Sequence, residues 1–261
     1  MFPILFSFIF GLCFGSFLNA LIYRLHEKKT LLDRSVCPFC QHKLSWFENI
    51  PLFSFIFLKG KCQYCQRPIS IQYPLNELLM GIFFVISFNY QNLFSGIRIN
   101  TSLPDSVSSC FYAFIFFALL FIFTYDLKYQ EIEFWVVWPA IALSFFYNFL
   151  NKQPLNSLLI SMAVGAGFFL AQYLLTKGKG IGLGDVWIGL FLGSLFSLKI
   201  LIVALFLSYV IGAIFCLLLL IFKKAKLKTK IPLAPFLVIG SLVAIFFGQT
   251  IVNFYFNNFL K

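Results

Sequence analysis

The chain is a succession of long apolar runs broken by short polar stretches. A helix needs roughly 20 apolar residues to cross a hydrocarbon core. Runs that approach or exceed that length fall at 2–23, 74–93, 107–125, 134–150, 155–176, 186–197, 200–222 and 232–257. The sixth is the weakest, because Gly189, Gly193 and the stretch from Ser194 to Lys199 leave it short, and a tilted or re-entrant segment is the other reading. The first run has neither a basic residue before it nor a small-x-small motif after it, so it reads as a membrane helix rather than a secretory signal. The pattern predicts an all-α polytopic membrane protein with about eight transmembrane helices.

Composition agrees: 61% of the residues are hydrophobic and 11% charged, outside the balance of a soluble domain. The net charge of +11 would suggest nucleic acid or an anionic partner in a soluble protein. Its distribution argues otherwise. With the N-terminus outside, 16 of the 20 basic residues fall in loops on the inner side, leaving Arg98, Lys152, Lys199 and Lys261 outside. This is the positive-inside bias, so the charge is a topology signal and no nucleic-acid partner is expected. The Lys223 to Lys230 run reads as a stop-transfer flank, with contact to anionic head groups as a further use.

The composition shifts sharply between Arg24 and Tyr73, where charges, prolines and paired cysteines interrupt the apolar sequence. The expected organisation is a first membrane helix over 1–25, a cytoplasmic module over 26–73 and a multi-helix membrane domain over 74–261. A module this small needs a metal or disulfides to hold it. Cys37-Pro38-Phe39-Cys40 and Cys62-Gln63-Tyr64-Cys65 are two C-x-x-C pairs with 21 residues between them, a spacing that fits a zinc-ribbon-like fold. Disulfides compete, but the positive-inside bias puts the module in a reducing compartment. Four thiolates complete a tetrahedral shell, so the zinc is expected to be structural. His26 and His42 could replace a sulfur ligand. Cys13, Cys110 and Cys216 read as small buried hydrophobes, and the 94–106 loop as a flexible connection.

Of four aspartates, Asp33 and Asp105 lie in loops, whereas Asp126 closes the third run and Asp185 opens the sixth after Gly180, Gly182 and Gly184. Alternating topology puts both on the cytoplasmic face. Ionisable groups at membrane depth are functional candidates by default, although each aspartate taken singly also reads as a helix cap. Paired carboxylates can hydrolyse a peptide bond: one activates water while its protonated partner donates to the scissile group. The helix macrodipole favours the anion at an N-terminus, which suggests Asp185 as base and Asp126 as acid.

Further residues carry a resemblance. Gly15-Ser16-Phe17-Leu18-Asn19 with Tyr23-Arg24-Leu25, Cys37-Pro38-x-Cys40, Asn49-Ile50-Pro51-Leu52, Gly60-Lys61-Cys62-x-x-Cys65, Tyr73-Pro74-x-x-Glu77, Asp126-Leu127, Gly182-Leu183-Gly184-Asp185 and Pro232-Leu233-Ala234-Pro235-Phe236 together resemble the type IV prepilin peptidases. The resemblance covers nearly the whole chain. It implies an aspartic endopeptidase with Asp126 and Asp185 as catalytic residues, acting on type IV prepilin or pseudopilin precursors at the cytoplasmic face of the bacterial inner membrane. It also implies N-methylation of the new N-terminus with S-adenosylmethionine, and Cys37, Cys40, Cys62 and Cys65 as zinc ligands. Departures from the family pattern are Ile132-Glu133-Phe134 after the first aspartate, Trp187 where lysine is common, Ala234 for a glycine and His26 for a proline. Glu48 and Asn49 read either as cofactor contacts or as folding contacts. Competing readings are another G-x-G-D intramembrane protease without methyltransferase activity, an ion channel or transporter, and a non-catalytic adaptor.

Overall fold

The computed structural model describes residues 4–31, 33–97, 103–178, 180–222 and 231–259. The Lys223 to Lys230 run, Lys179, Arg98 and Lys261 lie outside these residues. Every expected span is a helix: α1 (Ile4–His26), α3 (Gln72–Asn89), α4 (Asp105–Tyr129), α5 (Phe134–Leu150), α6 (Leu155–Thr176), α7 (Leu183–Leu195), α8 (Leu198–Ile221) and α9 (Ala234–Phe259), with a short α2 (Phe53–Phe57) inside the cysteine module. Five of them, α1, α4, α6, α8 and α9, are long and apolar enough to cross a bilayer. The sixth span is short, as its glycines suggested: α7 has 13 residues. At 1.5 Å per residue it rises about 20 Å, against a hydrocarbon core of roughly 30 Å.

The chain forms two compact units, Met1–Gln91 with Tyr112–Phe121, and Asn92–Phe111 with Ile122–Lys261. In the first, α1 and α3 pack antiparallel at backbone contact. A Cβ added to Gly15 would lie 2.5 Å from the Cα of Glu77, and one on Gly11 would lie 2.6 Å from the carbonyl oxygen of Met80. The Gly15 to Asn19 motif therefore makes a helix crossing. Asn76 donates to Asn19 at 2.9 Å, and Asn19 donates to the Tyr73 carbonyl at 3.0 Å. Phe83 stacks on Phe116 of α4, with centroids 4.4 Å apart and planes at 5°.

In the second unit, small residues set two close crossings. Gly189 and Gly193 of α7 face Gly165 and Ser161 of α6, leaving no room for a side chain. Gly240 of α9 lies equally close to Ala204 and Ser208 of α8. With apolar lipid as the alternative neighbour, such packing is a main source of helix association in membranes. The loop expected to be flexible is anchored over its described start. Phe94 and Ile97 are 0% and 1% exposed, and the Gly96 N–H donates to the Ile245 carbonyl of α9 at 2.8 Å. Glycine serves close approach there, since a Cβ on Gly96 would collide with the Ala244 carbonyl.

Gly15→Leu is expected to force α1 from α3 and to destabilise the protein by about 1–3 kcal/mol, the usual cost of overpacking. Gly167→Leu is its control, because nothing lies within 4 Å of a Cβ there. Thermal unfolding in detergent, followed by size-exclusion recovery, checks the pair: only the first variant should melt earlier.

Candidate active site

Asp126 lies in the last turn of α4, which ends where Gln130 takes a left-handed conformation at φ 54°. Its side chain is 7% exposed. Oδ2 accepts the backbone N–H of Ala234, the first residue of α9, at 3.1 Å. Asp185 is 9% exposed and sits within the first turn of α7, slightly inside the helix start the sequence suggested. Its Oδ2 reaches back to the N–H of Gly182 at 3.0 Å. Each carboxylate therefore has one oxygen fixed by a backbone N–H, which meets the need of a buried anion for hydrogen-bond donors.

The two groups are brought together. Asp185 acts electrostatically on Asp126. The loop that leaves α4 also touches the Asp185 turn: a Cβ on Gly184 would meet Ile132 Cδ1 at 2.6 Å and Cβ at 2.9 Å. Gly184 is thus a point of close approach between the two aspartate segments. Gly182 holds an extended conformation, φ −83° and ψ 160°, and its N–H serves Asp185.

The departures find places in this site. Glu133 accepts from the Tyr125 hydroxyl at 3.4 Å, next to Asp126 in sequence, so this acid is tied to α4 rather than wholly solvated. Trp187 packs on α5, with its ring 4.8 Å from Trp138 and 6.4 Å edge-on from Phe134. Ala234 supplies the N–H that Asp126 uses, a function any non-proline residue can serve. Sequence reasoning missed Tyr209, whose hydroxyl donates to Gln172 Oε1 at 2.9 Å and which lies within the field of Asp185. A tyrosine and a glutamine inside apolar runs were the available signal.

The four expected metal ligands also converge. Cys37, Cys40, Cys62 and Cys65 place their sulfurs within 4.8 Å of one another, with Cys37 and Cys65 3.9 Å apart. A tetrahedral ion with sulfur at about 2.3 Å requires edges of roughly 3.8 Å, so the donor set fits one ion. The thiols hold their protons unequally. The Cys65 N–H, then that of Tyr64, outweighs burial and brings the Cys62 thiol down to about 7. Cys40 is pushed up to about 11, the His42 N–H opposing desolvation and the three other sulfurs. His42 is no ligand in this arrangement; its ring lies 3.4 Å from that of Tyr64.

The module is an internal repeat, Cys37-x-x-Cys40-Gln41 to Ser45 and Cys62-x-x-Cys65-Gln66 to Ser70. Cys37 and Cys62 each donate N–H to the carbonyl five residues on, His42 and Arg67. Gln41 and Gln66 take left-handed φ values of 57° and 58°, and their side chains donate to Pro38 and Gln63 respectively. The halves pack on each other: Arg67 of the second lies over Phe39 of the first, and Tyr64 of the second lies on His42 of the first. Paired bridges, Val36 with Lys43 and Lys61 with Pro68, close the two knuckles. Glu48 accepts the Ser45 N–H at 2.7 Å and Asn49 donates to the Ser45 carbonyl at 3.1 Å, so both make folding contacts.

Comparison with known proteins gives two family matches: a bacterial peptidase A24 N-terminal domain over residues 9–90, and the type IV leader peptidase family over residues 113–217. A prepilin leader peptidase/N-methyltransferase from Bacillus subtilis is 34% identical over 255 residues, covering 95% of this chain and 96% of the relative. A protein of the same description from Vibrio cholerae is 30% identical, covering 94% and 96%. One from Xanthomonas campestris is 31% identical, covering 94% and 91%. No solved structure matches.

A Cys37→Ser/Cys62→Ser chain removes one ligand from each knuckle and is expected to lose all tightly bound metal. Elemental analysis of purified protein, at about one ion per wild-type chain, reads the difference.

Proposed function

Because this chain belongs to the type IV leader peptidase family, we propose that it cleaves the leader from type IV prepilin-like precursors and N-methylates the residue so exposed. It is an aspartic endopeptidase and methyltransferase of a multi-pass membrane fold. The observation that carries the peptidase reading is the convergence of Asp126 and Asp185, from the end of α4 and the start of α7, on one buried site.

In the proposed mechanism the dyad shares one proton. The ionised carboxylate takes a proton from water as the oxygen attacks the scissile carbonyl carbon. The protonated partner donates to the carbonyl oxygen, and collapse of the tetrahedral species expels the amine with a proton returned by the dyad. The backbone N–H groups of Ala234 and Gly182 hold one oxygen of each carboxylate in place, so the other oxygens are the ones available to water and substrate. The helix macrodipole favours the anion at both carboxylates rather than at Asp185 alone. Asp126 terminates α4 but also binds the N-terminus of α9, so both carboxylates meet a helix N-terminus. The titration belongs to the pair.

The four-sulfur centre fits zinc, which when bound would stabilise the module and leave no open position for substrate. S-adenosylmethionine is the methyl donor in this reading. The positive-inside distribution supports placing the dyad and the module on the cytoplasmic side of the inner membrane.

Asp126→Asn and Asp185→Asn should each lower prepilin cleavage at least about 100-fold, the scale of general acid–base catalysis. The mobility shift of a co-expressed prepilin reads this, and retention of metal shows that the variants are folded. Full cleavage by either variant would remove the dyad. With a labelled methyl donor, wild-type membranes should give cleaved and labelled product; cleaved, unlabelled product would favour the protease-only alternative.

A further inference from the structure

The cysteine module contains an apolar run, Ile50-Pro51-Leu52-Phe53-Ser54-Phe55-Ile56-Phe57-Leu58, that its metal does not need. The knuckles are closed by residues on either side of it. Within the run, Phe53, Ile56 and Phe57 are 58%, 69% and 79% exposed, an arrangement no small water-facing domain gains from.

The depth of this run is fixed by one hydrogen bond. The Leu52 N–H donates to Glu77 Oε2 of α3 at 2.8 Å, and Glu77 packs directly against Gly15 of α1. Gly15 lies nine residues before Arg24, the first charged residue of α1. At 1.5 Å per residue that is about 14 Å inside the charged end of the helix. The five steps from Leu52 to Phe57 advance about 7.5 Å as helix. With the reach of the Glu77 side chain and the 2.8 Å bond added, an α2 pointed straight outward would bring Phe57 to about the level of Arg24, and any other direction leaves it deeper. The side chains exposed around Glu77 are Leu75, Leu78 and Ile82 of α3 and Ile71 just before it, all apolar.

The local backbone suits that depth. Leu52 holds φ 61° and ψ −48°, and the Phe53 N–H donates to the Pro51 carbonyl at 2.7 Å, which makes a γ-turn of the strained kind. Ser54, Ile56 and Leu58 donate to carbonyls within the run. Internal satisfaction of N–H groups is what a segment facing hydrocarbon requires. Lys59 and Lys61 follow at once, where the chain must return to the polar region that holds Cys62.

We propose that residues 50–58 form a re-entrant membrane segment, with Phe53, Ile56 and Phe57 seated among lipid acyl chains beside α1 and α3. The module is then not wholly a water-facing insertion. It is pinned to the bilayer through the Leu52 to Glu77 bond, and its metal centre is held at the membrane surface.

The test places a photoreactive benzoylphenylalanine, one site at a time, at Phe57, Phe53, Phe39 and Phe10 of the full chain in phosphatidylethanolamine/phosphatidylglycerol vesicles. Phe10 lies exposed on the apolar α1 and serves as the lipid-facing control, whereas Phe39 lies exposed on a knuckle. Mass spectrometry should find lipid adducts at Phe57 and Phe53 in yields like those at Phe10, and about tenfold above Phe39, as burial in the acyl region predicts. Cross-links from Phe57 and Phe53 to protein instead of lipid, or lipid yields no higher than at Phe39, would overturn the proposal. Bound metal confirms that each labelled module is folded, and two probed positions keep the test open if one perturbs it.

Discussion

A carboxylate placed inside an apolar helix bundle must find hydrogen-bond donors there, and for Asp126 the donor comes from 108 residues away, the N–H of Ala234. That one contact ties the end of α4 to the start of α9. It gives the helix terminus an acceptor for an otherwise orphan N–H and gives the acid a fixed orientation. Asp185 solves the same problem locally, by turning back to Gly182. The site is therefore assembled from one long-range and one short-range backbone bond, and Ile132 lying over Gly184 holds the two segments together.

The rest of the fold positions those two bonds. The α6–α7 crossing uses Gly165, Gly189 and Gly193 to bring backbones into contact, which seats the short α7 deeply and leaves Asp185 near its exposed end. The α8–α9 crossing at Gly240 does the same for the helix that supplies Ala234. In each case a side chain larger than hydrogen would move a catalytic candidate by displacing the helix that carries it.

The eight apolar runs and their order were legible because a bilayer-crossing helix leaves a length signal that no other element imitates. The aspartates and the cysteine pairs were legible because charge in apolar runs and C-x-x-C spacing are both rare. Partners distant in sequence were not. Nothing about Ala234 announces that its N–H will meet Asp126, and nothing in Gly15 to Asn19 distinguishes a helix crossing from a reactive motif until Glu77 and Asn76 are seen against it. The knuckle repeat was legible too, since Cys, Cys, Gln and Ser recur at the same spacing in 37–45 and 62–70, but only the shared bonds of Gln41 and Gln66 show that the two copies fold alike. The anchored 94–97 segment looked mobile because glycine signals both freedom and close packing.

The contacts between the knuckles bear on how the metal module is tied to the membrane helices. Each half contributes two sulfurs, and the second also packs on the first through two contacts, Arg67 over Phe39 and Tyr64 on His42. An ion held by all four sulfurs would tie the two halves together, and the chain that joins them passes through Leu52, whose N–H is bonded to Glu77 of α3. Metal loading of the module and the packing of α1 on α3 would therefore be coupled through that one segment.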